Sequence, residues 1–249
     1  MRTFITYAFY PILLGIHIIV AYLAITQNWD LGTTFSWIAG PRLLSLAILE
    51  FTFPMKKEWK MSWASFFRDL KYVGAGILVF QGLDFLLSIF MIWLAKENTG
   101  LLQDSSIWGG FILTALVFEF FQYWYHRMNH ELKGPIGNFF WKTHAAHHLP
   151  EQVYLLMHVI FHPINAFFTF FIIQGTLILM GARAESIFLL NLFMGLQGLV
   201  SHFNVEIKAG PINYIFIGTE LHRSHHSADP VEAKNYGAFL SIWDIVFGT

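Results

Sequence analysis

Long apolar runs constrain the fold of this chain more than any other feature. A helix needs about 20 predominantly apolar residues to cross the hydrocarbon core of a bilayer. The run 4–25 has that length, and five further segments follow at 35–53, 72–94, 107–125, 164–180 and 187–200. Because 55% of the 249 residues are hydrophobic and only 12% are charged, a soluble domain could not cover this much apolar surface. The sequence therefore predicts an all-α, multi-pass transmembrane helical bundle with six spans.

The segment 35–53 is the weakest of the six because it contains Arg42 and Glu50. Charged side chains are costly in lipid unless they pair or face the protein interior. The segment is therefore a weaker span candidate, in which Arg42 and Glu50 would have to pair or face the protein interior.

Basic residues predict the orientation of the spans. The most basic loop follows the segment 35–53 and carries Lys56, Lys57, Lys60, Arg68 and Lys71. Loops rich in Lys and Arg stay in the cytoplasm. With six spans, this predicts an integral membrane protein whose two termini, and whose segments 127–163 and 201–249, lie on the cytoplasmic side.

Composition and motifs argue against several other classes. The formal net charge of −1 gives no support to nucleic-acid binding, and the absence of cysteine excludes disulfides and thiolate metal sites. The glycines of "GAGILVFQG", 74–82, lie inside an apolar run and not after a strand, so they favour helix packing over a nucleotide site. No repeat or linker interrupts the chain, which is predicted to form a single membrane-embedded domain, 1–249.

Histidine is concentrated in one part of the chain, since eleven of the twelve lie between positions 126 and 226. Side chains three and four residues apart share one face of a helix, which is the spacing that a chelate needs. In HxxHH the two adjacent histidines diverge by about 100°, so that one box can serve two neighbouring metal ions. The boxes HRMNH, HAAHH and HRSHH, with one single histidine, contain His126, His130, His144, His147, His148, His202, His222, His225 and His226.

Charge supports a metal site at these boxes. Nine protonated imidazoles close together would repel one another and resist desolvation, whereas neutral imidazoles bound to divalent cations would not. Nine ligands are more than one tetrahedral zinc ion can use. Divided between two ions, they give four or five ligands each. We predict a dimetal site in a cytoplasmic, histidine-rich helical cap.

These boxes resemble those of the fatty acid hydroxylase and sterol desaturase superfamily of membrane di-iron enzymes. The stretch "EFFQYWYHRMNH" is similar to the acidic residue, Tyr-Trp and His-Arg that lead the family's first box. "NYG" at 235–237 and "IWDIVFGT" at 242–249 resemble its closing motifs. The resemblance covers a catalytic part at 119–249. Relatives usually continue past the final Phe-Gly-Thr, so a truncated C-terminus is one expectation.

The resemblance implies that the nine histidines bind two iron ions, for which zinc can substitute in purified protein. It implies an oxidoreductase of lipid metabolism that uses O2 to hydroxylate or desaturate a C–H bond of a sterol or fatty acyl lipid. No haem-binding or flavin motif is found in the sequence, so the electrons are expected from a separate reductase or small carrier. Membrane lipids are the other expected partners, and no nucleic acid is expected.

Glu119 lies seven residues before His126 on the same helical face. A carboxylate there can accept the second N–H of a ligand imidazole and fix its tautomer. The alternative is a carboxylate that reaches the membrane surface or pairs with Arg42. His17 is isolated in the first run, so we expect it to be packed and hydrogen-bonded.

His158 and His162 are also four residues apart and could form a further chelating pair. The family often has Arg, one residue and then His-Pro at this place, but here Ile160 occupies the Arg position. Since Pro163 is also typical of a helix start, we keep both histidines out of the ligand set.

Two functions of other classes stay open. A membrane metal-binding or transport protein with a non-redox dimetal site is the alternative, although transporters tend to line their spans with ligands and these boxes mostly lie outside the spans. The second is a structural membrane protein with a degenerate site, which the complete boxes disfavour.

Overall fold

The computed structural model describes residues 1–97, 100–102, 104–229 and 231–249, and for residue 84 and 87–97 it describes the backbone alone. Within these residues the chain forms α-helices joined by loops and short 3-10 turns, and no strand occurs among them. The all-α prediction is confirmed.

The helices are numbered in chain order. They are α1 (Arg2–Thr26), α2 (Leu31–Thr52), α3 (Trp63–Glu97), α4 (Ile107–Glu131), α5 (Gly134–His148), α6 (Pro163–Met180), α7 (Ala184–Ser201), α8 (Thr219–His225) and α9 (Ile242–Phe247). Short 3-10 turns cover Lys57–Trp59, Leu155–Val159 and Gly210–Tyr214.

Local sequence explains where several helices begin and end. The Asp30 carboxylate caps α2 by accepting from the Thr33 N–H at 2.7 Å, and the Ser106 hydroxyl caps α4 by accepting from the Gly109 N–H at 3.1 Å. Helix α6 begins at Pro163, whose missing N–H costs nothing at the first helical position. It ends at Met180 and is followed by Gly181 at φ 60°, a left-handed conformation that a β-branched residue would adopt only with strain.

Four helices are long and apolar enough to cross a membrane, among the residues that the structure describes. They are α1, α4, α6 and α7. Helix α2 overlaps the predicted segment 35–53 from 35 to 52, and α3 contains the whole predicted segment 72–94 and begins nine residues before it. The count of six spans and their orientation stay predictions.

Two compact units divide the chain. Unit 1 contains Met1–Met61, Glu151–His158 and Phe188–Thr249, and unit 2 contains Ser62–Pro150 and Val159–Ile187. In unit 2, α6 packs against α3, α4 and α5, and α4 packs against α5. In unit 1, α1 contacts α2, and the Tyr10 hydroxyl donates to Gln197 Oε1 at 2.8 Å, which ties α1 to α7. The prediction of a single domain stays a prediction.

The charged residues of α2 are buried inside unit 1, which is one of the two conditions under which a span can carry them. Arg42 is 6% exposed and donates from Nη1 to the carbonyl oxygen of Leu192 at 3.2 Å. Glu50 is 4% exposed, and its Oε2 accepts from the N–H groups of Leu155 at 2.9 Å and Asn204 at 2.8 Å. Backbone groups of the protein therefore replace the water that both side chains would otherwise need.

His17 is packed and hydrogen-bonded, as its isolated position predicts. Its side chain is fully buried, and Nδ1 donates to the carbonyl oxygen of Leu13 one turn earlier at 2.8 Å. This histidine therefore has a structural explanation.

Candidate metal centre

Unit 2 gathers four of the predicted ligands at the ends of two neighbouring helices. His126 and His130 lie one turn apart at the C-terminal end of α4, and His144 and His148 lie one turn apart at the C-terminal end of α5. One ring nitrogen of each lies within 4.8 Å of those of the other three. We call these four residues the first histidine cluster.

His144 is the centre of the first cluster. Its Nε2 lies 3.1 Å from the Nε2 of His126 and 3.0 Å from the Nε2 of His148. The ring of His130 approaches the same imidazole with a centroid distance of 4.9 Å. The four-residue spacing within α4 and within α5 therefore produces the convergence that the sequence predicts.

Unit 1 gathers three more predicted ligands, which we call the second histidine cluster. His202 follows the last residue of α7, His222 lies in α8, and His226 follows the end of α8. The Nε2 of His222 lies 2.9 Å from the Nε2 of His202 and 3.2 Å from the Nε2 of His226. The single histidine between boxes thus joins the third box, as its inclusion in the ligand set requires.

Backbone carbonyls fix the tautomer of three predicted ligands. The Nδ1 of His147 donates to Ile160 at 3.2 Å, that of His202 to Gly198 at 3.0 Å, and that of His225 to Lys234 at 2.9 Å. A carbonyl oxygen can only accept, so Nδ1 carries the hydrogen in each ring. A neutral ring then has a free lone pair on Nε2, the form that binds a metal ion.

The short contacts between Nε2 atoms fit a bound cation better than hydrogen bonds alone. A ring nitrogen either donates one hydrogen or accepts through one lone pair. His144 and His222 each have two Nε2 neighbours, so a hydrogen bond between rings can satisfy only one contact at each centre. A cation that takes the lone pairs satisfies both contacts, which is the chemistry of an imidazole metal site.

Burial favours the neutral form of the central ring in the first cluster. Loss of hydration, and then the neighbouring imidazoles, lower the pKa of His144 well below its ordinary value. His144 is 4% exposed. It is therefore neutral at physiological pH and offers a nitrogen lone pair.

Asn165 is a residue of this site that the sequence does not single out. It is buried in the first turn of α6, and its side-chain amide lies 3.1 Å from the Nδ1 of His144. With the His144 Nε2 facing the cluster as a lone pair, Nδ1 carries the hydrogen. The amide oxygen then accepts it, in the orientation that a flip of the amide gives. Asn165 thereby positions the His144 ring.

Replacing Asn165 with Leu is expected to lower the metal affinity of the first cluster about 10- to 100-fold, because it removes the acceptor of the His144 N–H. Asn165→Asp keeps an acceptor at the same place and should retain most of the affinity. Competition with a chelator, followed by metal analysis of each purified variant, measures the effect. Equal metal retention in the Leu variant and the wild type would contradict the positioning role.

The third box is held in place by contacts with the last turn of α7 and the segment that follows it. The Thr219 hydroxyl donates to the Val200 carbonyl at 2.7 Å, and Arg223 donates to the Phe203 and Val205 carbonyls at 3.2 Å each. These bonds fix α8 beside the segment that carries His202. Arg223 therefore has a structural role near the box.

Asp244 of α9 holds the segment beside the third box. Its Oδ1 accepts from the Tyr236 N–H at 2.7 Å and its Oδ2 from the Gly237 N–H at 2.8 Å. The Thr249 hydroxyl donates to the same carboxylate at 2.7 Å. This segment also supplies the carbonyl that binds the Nδ1 of His225. The two closing motifs thus support a predicted ligand through one carboxylate.

His158 and His162 lie outside both clusters. The Nδ1 of His162 accepts from the Ile164 N–H at 3.2 Å and caps α6. The His158 ring packs against Gly198 and fills the space that a Cβ at position 198 would need. The ring centroid lies 5.7 Å from that of His202. Burial, and then the charge of Arg42, lower the pKa of His158 to about 4. His158 is therefore a neutral ring packed beside a predicted ligand.

Two charged residues of α4 lie before and within the first box. Glu119 is completely buried in α4, and its predicted role toward His126 stays a prediction. Arg127 forms an ion pair with Glu131 at 2.7 Å. This arginine has a carboxylate partner one turn along α4.

Comparison with known proteins identifies the family of this chain. The sequence model described as fatty acid hydroxylase matches residues 111–249. The ornithine lipid hydroxylase OlsE of Rhizobium tropici is 27% identical over 96% of this chain and 73% of its own length. The alkylglycerol monooxygenase of Danio rerio is 33% identical over 51% of this chain and 27% of its own length, and that of Homo sapiens is 32% identical over 53% and 28%. No solved structure gives a significant match.

Proposed function

Because the chain belongs to the fatty acid hydroxylase family, we propose that it is a membrane di-iron oxidoreductase that hydroxylates a C–H bond of a lipid. A lipid-hydroxylating role is supported by the relatives. The observation that carries the proposal is the convergence of histidine ring nitrogens in two clusters. In the reaction one atom of O2 enters the lipid and the other leaves as water, which requires two electrons and two protons from outside.

Iron is the proposed metal because the donor set is imidazole and the reaction is an oxidation. Imidazole suits iron, zinc, copper and nickel alike, but zinc has no redox chemistry. When bound, iron supplies the activation of O2 and the removal of hydrogen from an unactivated carbon.

The protein's own residues hold and orient the metal ligands. The proposed set is unchanged from the sequence: His126, His130, His144, His147, His148, His202, His222, His225 and His226. Hydrogen bonds at Nδ1 orient four of these rings and leave Nε2 available. Glu119 is proposed as a further orienting residue, for His126. Its burial in α4 is compatible with that role.

The proposed substrate is a lipid with a polar head group and a long acyl or ether-linked alkyl chain. Two of the relatives are described as an ornithine lipid hydroxylase and an alkylglycerol monooxygenase. Both names indicate oxygen insertion, which favours hydroxylation over desaturation. A sterol has less support, since neither of these names refers to one.

We also propose that the histidine boxes face the cytoplasm, where a separate reductase or small electron carrier delivers the electrons. The excess of basic residues between α2 and α3 supports this orientation. An aqueous edge supplies protons and electrons, while the bilayer supplies the lipid.

Metal removal and reconstitution test the proposal. Protein purified in detergent and reloaded anaerobically is expected to bind about two iron ions per chain. Chelation should abolish formation of oxygenated lipid, and iron, but not zinc, should restore it. The measurement combines metal analysis with lipid mass spectrometry under isotopically labelled O2. Zinc alone on the reloaded protein, with no labelled lipid, would favour the non-redox metal protein instead.

A further inference from the structure

Unit 2 contains an open groove bounded by α3, α5 and α6. Its volume is about 590 Å³, within the range of about 300 to 1,000 Å³ that is usual for small-molecule sites. Among the residues that line it are Leu78, Gly82 and Leu86 of α3, Phe139 of α5, and Ile164 and Phe167 of α6. The described residues of the lining are hydrocarbon side chains and glycine, so none of them offers a ligand a polar side chain.

The groove lies next to the first histidine cluster along two helices. On α6, Ile164 of the lining directly precedes Asn165, which binds the Nδ1 of His144. On α5, Phe139 lies five residues before His144, which is about 7.5 Å along the helix axis. The groove therefore lies beside residues that adjoin the proposed metal centre in the sequence of both helices.

We propose that this groove binds the hydrocarbon chain of the lipid substrate and that Gly82 sets how much of the chain it holds. The proposal rests on the proposed function, because it assigns a substrate to the same centre. An apolar lining favours a hydrocarbon chain over any charged or polar group. Closeness to the first histidine cluster along α5 and α6 favours the substrate over bulk membrane lipid, since it places the groove near the proposed reacting site.

Gly82 is the position at which the groove is easiest to fill. Among the described atoms, nothing lies within 4 Å of a Cβ built there. The sequence favours helix packing as the reason for this glycine, whereas the structure leaves open space beside it. A side chain at position 82 would project into the groove and displace part of the chain.

Gly76 provides a matched control on the same helix. It also has open space at its Cβ position, but it does not belong to the lining. Six residues separate it from Gly82, which turns it about 120° around the helix axis. Phe at either position replaces a poor helix former with a better one, so both variants should fold.

Photo-cross-linking of a hydrocarbon chain tests the groove directly. The full chain, reloaded with iron anaerobically, is placed in nanodiscs of dioleoyl phosphatidylcholine with hexadecanoic acid that carries a diazirine near its methyl end. We expect labelling of the peptide that contains Ile164 and Phe167, and excess unlabelled hexadecanoic acid should suppress it. In Gly82→Phe the labelling should fall about fourfold for each methylene excluded from the groove. Gly76→Phe should label as the wild type does.

Three outcomes would overturn the proposal. Equal labelling in Gly82→Phe and the wild type would mean that the chain lies elsewhere. Labelling that excess hexadecanoic acid does not suppress would indicate bulk lipid. A wild-type dimer that Gly82→Phe dissociates would identify a second copy of the chain as the occupant.

Product analysis separates this proposal from the proposed function. Where the wild type forms oxygenated lipid, Gly82→Phe should shift the products toward shorter chains and keep the wild-type iron content. An unchanged chain-length profile would overturn the groove and leave the oxygenase intact. If the wild type forms no oxygenated lipid, the proposed function fails, while the cross-linking result still reports on the groove.

Discussion

Replacing His144 or His222 with alanine is expected to abolish turnover and to lower bound iron from about two ions per chain to about one or fewer. Each residue is the centre of its cluster, with two Nε2 neighbours between 2.9 and 3.2 Å away. Removing it takes away the nitrogen that the other ligands surround. Metal analysis of the purified variants, together with lipid product formation in membranes, measures both effects.

His162→Asn is the matched control, because it removes a histidine of the same region that lies outside both clusters. Asn is a good helix cap and can replace the acceptor of the Ile164 N–H. This variant should retain its iron and its fold. The dimetal assignment would be untenable if His144→Ala and His222→Ala kept the full iron content and activity.

Asp244→Ala is expected to lower the free energy of unfolding by about 2 to 5 kcal/mol. Asp244 is 3% exposed, and its loss leaves the N–H groups of Tyr236 and Gly237 buried without their acceptor. The same change should weaken metal binding, because the Lys234 carbonyl that orients His225 lies in the freed segment. Thermal unfolding in detergent and metal analysis measure the two effects.

Asp244→Asn separates hydrogen bonding from packing at this position. The amide keeps one acceptor oxygen and nearly the same shape. Asp244→Asn should therefore lower the free energy of unfolding by about half as much as Asp244→Ala. An unfolding midpoint that is the same in Asp244→Ala and the wild type would show that the carboxylate does not hold the segment.

The sequence predicts those parts of the site that depend on local spacing. His126 with His130, and His144 with His148, converge because a four-residue spacing on a helix puts both rings on one face. Helix α4 also continues past the predicted end of its apolar run to Glu131, so that it carries the whole first box. Local periodicity was sufficient for these features.

Contacts between distant parts of the chain could not be predicted in the same way. A single Asn in an apolar helix gives no sequence signal for its bond to His144, 21 residues earlier. The partners of Glu50 lie 105 and 154 residues away, so the sequence indicates only that this side chain needs a partner or the protein interior. The sequence around Gly82 predicts helix packing, whereas the structure places this residue in the lining of the groove.

The backbone carbonyls that hold His147, His202 and His225 have a consequence for metal exchange. Immobilising a flexible side chain costs conformational entropy. Here the hydrogen bonds hold the rings when the chain folds, so ion binding need not immobilise them again. A preorganised set of ligands binds an ion more tightly than a flexible set with the same donor atoms. It also resists contracting or expanding around an ion of the wrong radius. In the proposed metal centre the main chain, which carries no sequence information in its carbonyls, would thus contribute to the choice of metal.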